Sequence, residues 1–309
     1  MRCAFSKLIF ITVGLALSFV ATAQTKSPVI AFASDTQEPM WIEKLFLKQD
    51  HNLQATKMIF KDVDTLRPAA LFILGDVVSL GKSKAAWSNI DKYITQLRKD
   101  SIPVFATLGN HEVMFNAAKG TQNFLRRFPL YKPAGYAEIV DSVAVVLLNS
   151  NFATMNSVEI TAQDSWYKQE LTALDKDPAV KLIIVGCHHS PYTNSTIVNP
   201  SVLVQQHFVE PFQHAAKCVL FASGHSHNYE RFKVKGKDFL VIGGGGGLHQ
   251  PLRANNDLMH DLSADYKPAF HYLKISRLGN TLQVTSRELK SDFSRFQDGF
   301  SFSINSASH

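Results

Sequence analysis

A handful of side chains suited to holding transition metals recur at equivalent places along this chain. His225 and His227 stand one residue apart in the stretch 220–231, LFASGHSHNYER, directly after the apolar run Cys218-Val219-Leu220-Phe221. Gly224 permits the bend that would turn both rings toward one point, and imidazole is the commonest protein ligand for such ions. Alone, that pair could equally well be two solvated loop histidines. The same arrangement, a short apolar run and then a donor, delivers Asp35, Asp76, Asn110 with His111, and His188 or its neighbour His189. Oxygen and imidazole donors without thiolate suit Zn, Mn or Fe rather than a structural zinc cage. The set exceeds one tetrahedral shell, which predicts two ions sharing a bridging carboxylate. Ions spaced about 3.5–4 Å apart clamp the attacking and leaving oxygens of an in-line displacement. His111 adds a proton donor beside them.

The elements that must position these residues follow from the apolar pattern. Buried strands are expected at 28–33, 69–74, 102–108, 143–148, 182–187, 218–221 and 239–242, each a short continuous apolar run. Donors just past the ends of such strands lie where open α/β sheets gather their ligands. Helical spacing covers 40–64, 82–99 (Trp87, Ile90, Ile94 and Leu97 on one face) and 161–174, with Trp166, Leu171 and Leu174 turned inward. The stretch 202–216 also reads as helix, although Pro211 cannot sit inside an uninterrupted one, and its His207 and His214 read as structural. The region 115–140 is expected to be helix followed by loop, and 270–275 with 281–286 a hairpin about Gly279-Asn280. Gly243 to Gly247 are five consecutive glycines, followed too soon by Pro251 to open a phosphate-binding helix; they predict close approach of backbone to the site.

Bulk properties narrow the class. The 309 residues are 45% hydrophobic and 19% charged, ordinary for a globular chain, with no repeat or interdomain linker. Residues 1–23 read as a signal peptide: Arg2 and Lys7, an apolar stretch 8–20, and an Ala21-Thr22-Ala23 cleavage site. The apolar stretch falls short of the about 20 residues of a membrane span, so export to the periplasm or medium is expected, with no stable membrane anchor. Of the formal net charge of +6, two come from Arg2 and Lys7. The remainder, without a basic run, gives no reason to expect nucleic acid as partner. Cys187 and Cys218 lie in apolar runs and read as buried free thiols. One domain is expected over 24–300, with 301–309 a polar, frayed tail.

Taken in order, SDTQ (34–37), GD (75–76), GNHE (109–112), HHSPY (188–192) and GHSHNYER (224–231) resemble the motifs of the calcineurin-like metallophosphoesterase family. HHSPY with GHSHNYER is most similar to its purple-acid-phosphatase-like branch. The resemblance covers 30–248. It implies an α/β fold, a four-layer α/β/β/α sandwich in a single domain, and two divalent or mixed-valence ions (Mn, Zn or Fe). It places Asp35 and His227 on the first ion, Asn110, His188 and His225 on the second, and Asp76 between them. His111 would contact the phosphate and protonate the leaving group, and a hydroxide held by the ions would attack.

Three departures accompany the resemblance. Gln37 stands where the family's first motif carries histidine, leaving a weaker oxygen ligand or a looser first site. Ser79 stands where purple enzymes carry a tyrosine, so neither purple colour nor a ferric site is expected. Either His188 or His189 could be the ligand; with His188 in that role, His189 becomes a phosphate contact. The reading is metal-dependent hydrolysis of small phosphate esters, monoesters before diesters. Its rivals are a phosphodiesterase or nucleotide hydrolase of the same fold, and a catalytically weak phosphate- or sugar-binding protein. The loops 115–140 and 248–268 are expected to shape the pocket, with Arg126, Arg127 and Arg253 as anion contacts or solvated charges, and Tyr229 and Arg231 as supports of the histidine loop.

Overall fold

The computed structural model describes residues 27–48, 51–253 and 258–306. The expected signal peptide lies outside them. Strand β1 (Val29–Ala33) leads through a single 3-10 turn (Glu43–Leu45) to helix α1 (Asn52–Leu66), β2 (Ala70–Ile73), α2 (Ser88–Lys99) and β3 (Val104–Ala106). Two short helices, α3 (Asn110–Val113) and α4 (Ala117–Leu125), precede β4 (Tyr136–Val140) and β5 (Val143–Leu147). Then come α5 (Ser157–Lys176), β6 (Leu182–Gly186), α6 (Val202–Val204), α7 (Glu210–His214), β7 (Cys218–Ser223), β8 (Tyr229–Val234) and β9 (Lys237–Ile242). The chain ends with β10 (His271–Leu278), β11 (Thr281–Leu289) and β12 (Phe296–Asn305).

These strands make two six-stranded mixed sheets, ordered β12-β11-β10-β1-β2-β3 and β4-β5-β6-β7-β9-β8. The strands that carry donors pair in parallel with one another: β1 with β2, β2 with β3, and β6 with β7. They are buried along nearly their whole length, as parallel strands covered on both faces must be. The twofold alternation of a strand sorts β5 between two cores. Val143, Val145 and Leu147 join the cluster between the sheets, while Ala144 and Val146 face α5 and α7 with Tyr167, Leu171, Phe208 and Phe212. Ala55, Ile59, Val63, Ile90 and Ile94 of α1 and α2 cover the other sheet. The result is the expected sandwich of helices, sheet, sheet and helices. Among the described residues no helix is long and apolar enough to cross a membrane.

Several expectations are corrected. The tail does not fray at 301; its Ser-Phe-Ser-Ile alternation extends β12 to Asn305, paired with β11 as far as Thr281. The helix expected from 40 starts only at Asn52, and that from 82 only at Ser88, though Trp87, Ile90, Ile94 and Leu97 are buried as expected. Residues 136–140, expected as loop, form β4 against β5. Helix α5 begins four residues before Thr161, because the Asn156 side chain accepts hydrogen bonds from Val158 N and Glu159 N while the Glu159 carboxylate accepts one from Asn156 N. Tyr167 rather than Trp166 takes the fully buried place on it. The conflict at Pro211 is resolved by a π-helical turn over Gln205–Val209, which lets proline fall in the first turn of α7.

Candidate metal centre

Every expected metal donor lies within four residues beyond the end of a strand with a parallel neighbour, and the two sheets bring those ends together. Asp35 follows β1, Asp76 follows β2 and Asn110 follows β3; His188 follows β6 and His225 follows β7. Asp35, Asp76 and His225 all adopt left-handed backbone conformations, with φ of 57°, 47° and 65°. A strand that turns this sharply aims its next side chain back over the sheet edge, and aspartate tolerates that conformation better than most residues. Gly109 makes room for it, since a Cβ there would lie 2.1 Å from Oδ1 of Asp76. Gly224 does the same for Ser34 and Asp35.

The ligand atoms of Asp35, Asp76 and His188 all lie within 4.8 Å of one another, as do those of His188, His189 and His225. Nε2 of His188 is 3.2 Å from Asp76 Oδ2 and 2.9 Å from Asn110 Oδ1. Nε2 of His227 is 3.3 Å from Asp35 Oδ1. Nδ1 of each ring meets a backbone carbonyl, Leu74 O at 3.0 Å and Leu248 O at 2.7 Å respectively. A carbonyl only accepts, so Nδ1 carries the proton and Nε2 presents a lone pair to the carboxylates. Acceptors facing acceptors need a cation between them, and the donor set fits a pair of metal ions. Without one, the pair must hold a proton. Burial opposes the charge on both partners, but the neighbouring Asp76 raises His188 to about 9, and His188 with His111 holds the Asp76 carboxyl far below its usual range.

His188 and His189 occupy different surroundings. His188 is fully buried between Asp76 and Asn110; His189 is half-buried, its Nδ1 2.8 Å from Ser150 Oγ and its ring 4.5 Å from that of His225. Burial and the adjacent His188 push His189 down to about 3, so it is neutral. The Gln37 amide has one end 3.1 Å from Asp35 O and 2.9 Å from Asp76 O, which must be its NH2 end. Its oxygen then faces Nε2 of His227 at 3.4 Å. His111 donates its backbone N–H to Asp76 Oδ1 (2.8 Å) and anchors Nδ1 on Ser79 O (2.9 Å), leaving Nε2 3.8 Å from Asp76 Oδ2. Ser79, at the purple enzymes' tyrosine position, thus contributes a carbonyl rather than a phenolate.

The glycine run approaches the site as expected. A Cβ on Gly247 would lie 2.4 Å from His227 Cε1, and Gly245 N donates to Ser34 O at 3.0 Å. Asn52 at the start of α1 clamps the run through Gly246 O and Gly247 O. The sequence reading missed that clamp, and also Ser150, Glu112 and Glu230. Glu112 is fully buried and accepts from the backbone N–H groups of Asp76, Val78 and Gly109, fixing three turns at once. It stood in plain view in GNHE. Glu230, not only its neighbours, supports the histidine loop by accepting from Thr193 and Asn194 N, while Arg231 pairs with Asp238. Arg127 is not an anion contact: it is held by Asp91 and stacked 4.2 Å from the Trp87 ring. Arg126 lines a separate groove with Arg98, Phe105 and Tyr131. Arg253 donates its backbone N–H to Asn194 O, and its buried Nε has no hydrogen-bond partner among the described residues. His207 pairs with Asp164, and His214 bonds Glu210 O, both structural as expected. Cys187 and Cys218 are buried free thiols.

The family model for calcineurin-like phosphoesterases matches residues 28–229, and the chain belongs to that family, among the phosphoric ester hydrolases. Purple acid phosphatase PPD1 of yellow lupin (Lupinus luteus) is similar in fold, with a TM-score of 0.66 at 16% identity over 91% of this chain. The chain spans 54% of the lupin protein's length. GAP50, described as the anchor in the inner membrane complex of Plasmodium, gives 0.64 at 14% identity, covering 92% of this chain and 90% of that one. A dimetal phosphatase of Danio rerio gives 0.61 at 12% identity, over 91% of this chain and 100% of its own. No curated protein matches the sequence.

Proposed function

We propose that this protein hydrolyses small phosphate monoesters with two metal ions bound in this centre. The observation that carries the reading is the pair of carbonyl-anchored histidines, His188 and His227, each presenting a bare Nε2 to a buried carboxylate. Asp35, His227 and the Gln37 oxygen would hold one ion; Asn110, His188 and His225 the other, with Asp76 shared. Two ions bound there supply Lewis acidity toward the phosphoryl oxygens and lower the pKa of the attacking water. His111 holds a proton on Nε2 for the departing oxygen, its Nδ1 fixed on Ser79 O. His189, neutral and open to the mouth, directs Nε2 at a phosphoryl oxygen. Export is part of this proposal and rests on the pattern in residues 1–23.

The test is hydrolysis of p-nitrophenyl phosphate against bis-p-nitrophenyl phosphate. Protein lacking residues 1–23 is stripped of metal and then supplied with Mn, Zn or Fe, with Asp76→Asn alongside. Metal-restored turnover of the monoester, lost in the variant, is expected. Preferential turnover of the diester would replace the monoester reading with the phosphodiesterase one. Metal binding without turnover of either would favour the binding-protein reading, and absence of metal binding would overturn the centre itself.

A further inference from the structure

Just past the end of β5 lie Asn149, Ser150 and Asn151, three buried polar residues that supply no donor to the metal centre. Parallel pairing sets Leu147 of β5 beside Gly186 of β6, so Ser150 and His189, each three residues further on, come side by side. The turn that carries Ser150 is held from several directions. Gln163 of α5 exchanges two hydrogen bonds with the backbone of Asn149, at 2.9 and 3.0 Å. Asn151 Nδ2 donates to Leu108 O at 3.1 Å, and Thr107 Oγ1 donates to Leu148 O at 2.7 Å. The hydroxyl fixed between these anchors meets His189 twice. It accepts from His189 N at 3.0 Å and lies 2.8 Å from Nδ1 of the same residue.

The second contact sets His189 apart from the histidines around it. Nδ1 of His188 and of His227 faces a carbonyl, which can only accept, and both rings therefore present a bare Nε2. Nδ1 of His189 faces a hydroxyl, which has a proton to give. A lone pair of Ser150 Oγ takes the backbone N–H, and the strong acceptor within reach of its proton is Nδ1. The Cys187 sulfur is a weak acceptor, and its thiol is turned to His189 O at 3.3 Å. With Nδ1 accepting, the neutral ring carries its proton on Nε2, and a protonated nitrogen cannot ligate. Ligand atoms of His188, His189 and His225 all lie within 4.8 Å of one another, near enough for three imidazoles to compete for one ion. We infer that Ser150 is a positioning residue: through Nδ1 it fixes His189 as an Nε2–H donor to a phosphoryl oxygen and withholds it from the second ion. The inference rests on the phosphoesterase reading above.

Two measurements test this. The first is the long-range proton–nitrogen correlation spectrum of the histidine rings in metal-free and zinc-loaded protein, the His189 signals being those lost in His189→Gln. An Nε2–H tautomer at His189 is expected in both forms, kept in Ser150→Thr and replaced by a mixture of tautomers in Ser150→Ala. A bare Nε2 at His189 in the wild type, or a tautomer indifferent to Ser150→Ala, would overturn the proposal. The second is calorimetric binding of inorganic phosphate to the zinc-loaded protein. Ser150→Ala should weaken it about tenfold and Ser150→Thr should retain it, while in a His189→Gln background Ser150→Ala should have no further effect. A serine with a merely structural role would lower phosphate affinity equally in both backgrounds, and that result would overturn the proposal. Zinc affinity should be the same in the wild type and in His189→Gln; a clear loss in the variant would make His189 a ligand and overturn the proposal too. Absence of phosphate binding by the zinc-loaded wild type would count against the phosphoesterase reading instead, and the tautomer with the zinc affinity would still decide between donor and ligand.

Discussion

Nε2 of His188 lies 3.2 Å from Oδ2 of Asp76, and the two residues come from different sheets, His188 from beyond β6 and Asp76 from beyond β2. The same imidazole reaches Leu74 O, also at the end of β2. The centre is therefore a seam between the halves of the sandwich, and whatever cation occupies it ties one sheet to the other. Removing metal with EDTA should lower Tm, and restoring Mn or Zn at a thousand times Kd should recover about 4 kcal/mol, or about 10 °C in a chain of this size. Asp76→Asn should abolish most of that response. A metal-independent Tm would show that the seam holds without cations.

On the proposed reading, His111→Asn removes the proton held for the leaving oxygen but keeps a polar side chain near Ser79 O. Turnover of an alkyl phosphate should fall about 10²–10⁴-fold, while that of a dinitrophenyl phosphate, which departs unaided, should change little. Equal losses for both would assign His111 to positioning of the phosphate.

Glu112→Gln tests the carboxylate behind the site. Burial and the nearby Asp76 push Glu112 up to about 7, yet its two oxygens accept from three backbone N–H groups. The amide presents an NH2 to at least one of those donors, at a cost of about 1–3 kcal/mol. The urea midpoint should fall accordingly, with weaker Mn binding because the Asp76 turn loosens.

Gly247→Ala places a Cβ 2.4 Å from His227 Cε1, so the ring must move. Elemental analysis of metal-loaded protein should give close to one ion per chain instead of two, since Asn110, His188 and His225 are untouched.

His271 supplies the pH dependence. Burial, with His249 and Lys267 nearby, lowers it to about 3 from an unfolded value of 6.5. Between these values the unfolded chain binds the extra proton, so its contribution to stability falls as pH drops through 6.5 and levels off near 3. Going from pH 7.5 to pH 5 should cost about 2 kcal/mol through this residue. His271→Gln, neutral and of similar size, should lose that much less over the same interval in paired denaturation curves.

Much of the centre was legible because each donor directly follows an apolar run: Asp35, Asp76, Asn110, His188 and His225 needed only the strand ends to be read. What could not be read is what lies far apart in sequence. Asn52 clamps glycines 194 and 195 positions later, and Ser150 meets His189 from another strand. Neither partner carries a local signature. That His188 rather than His189 meets the carbonyl of Leu74 could not be read either, since only the packing of the two sheets brings them near. The missed strands had a different cause. In β8, Glu230 is buried where the alternation asks for a polar outward residue, so Tyr-Glu-Arg-Phe reads poorly as strand; β4 exposes Ile139. Pattern follows burial, and at edges burial is partial.

The pairing of β1 with β10 also sets an order of events. Val29 stands opposite Ser276 and Phe32 opposite Leu273, so the strand that leads into Asp35 keeps one open side until almost the whole chain exists. As the polypeptide leaves the ribosome, all the donors from Asp35 to His227 emerge before β10, β11 and β12 do. Closing so long a loop is slow and comes late in folding. A chain cut short after β9 would carry every candidate ligand and still lack the neighbour that steadies the first of them.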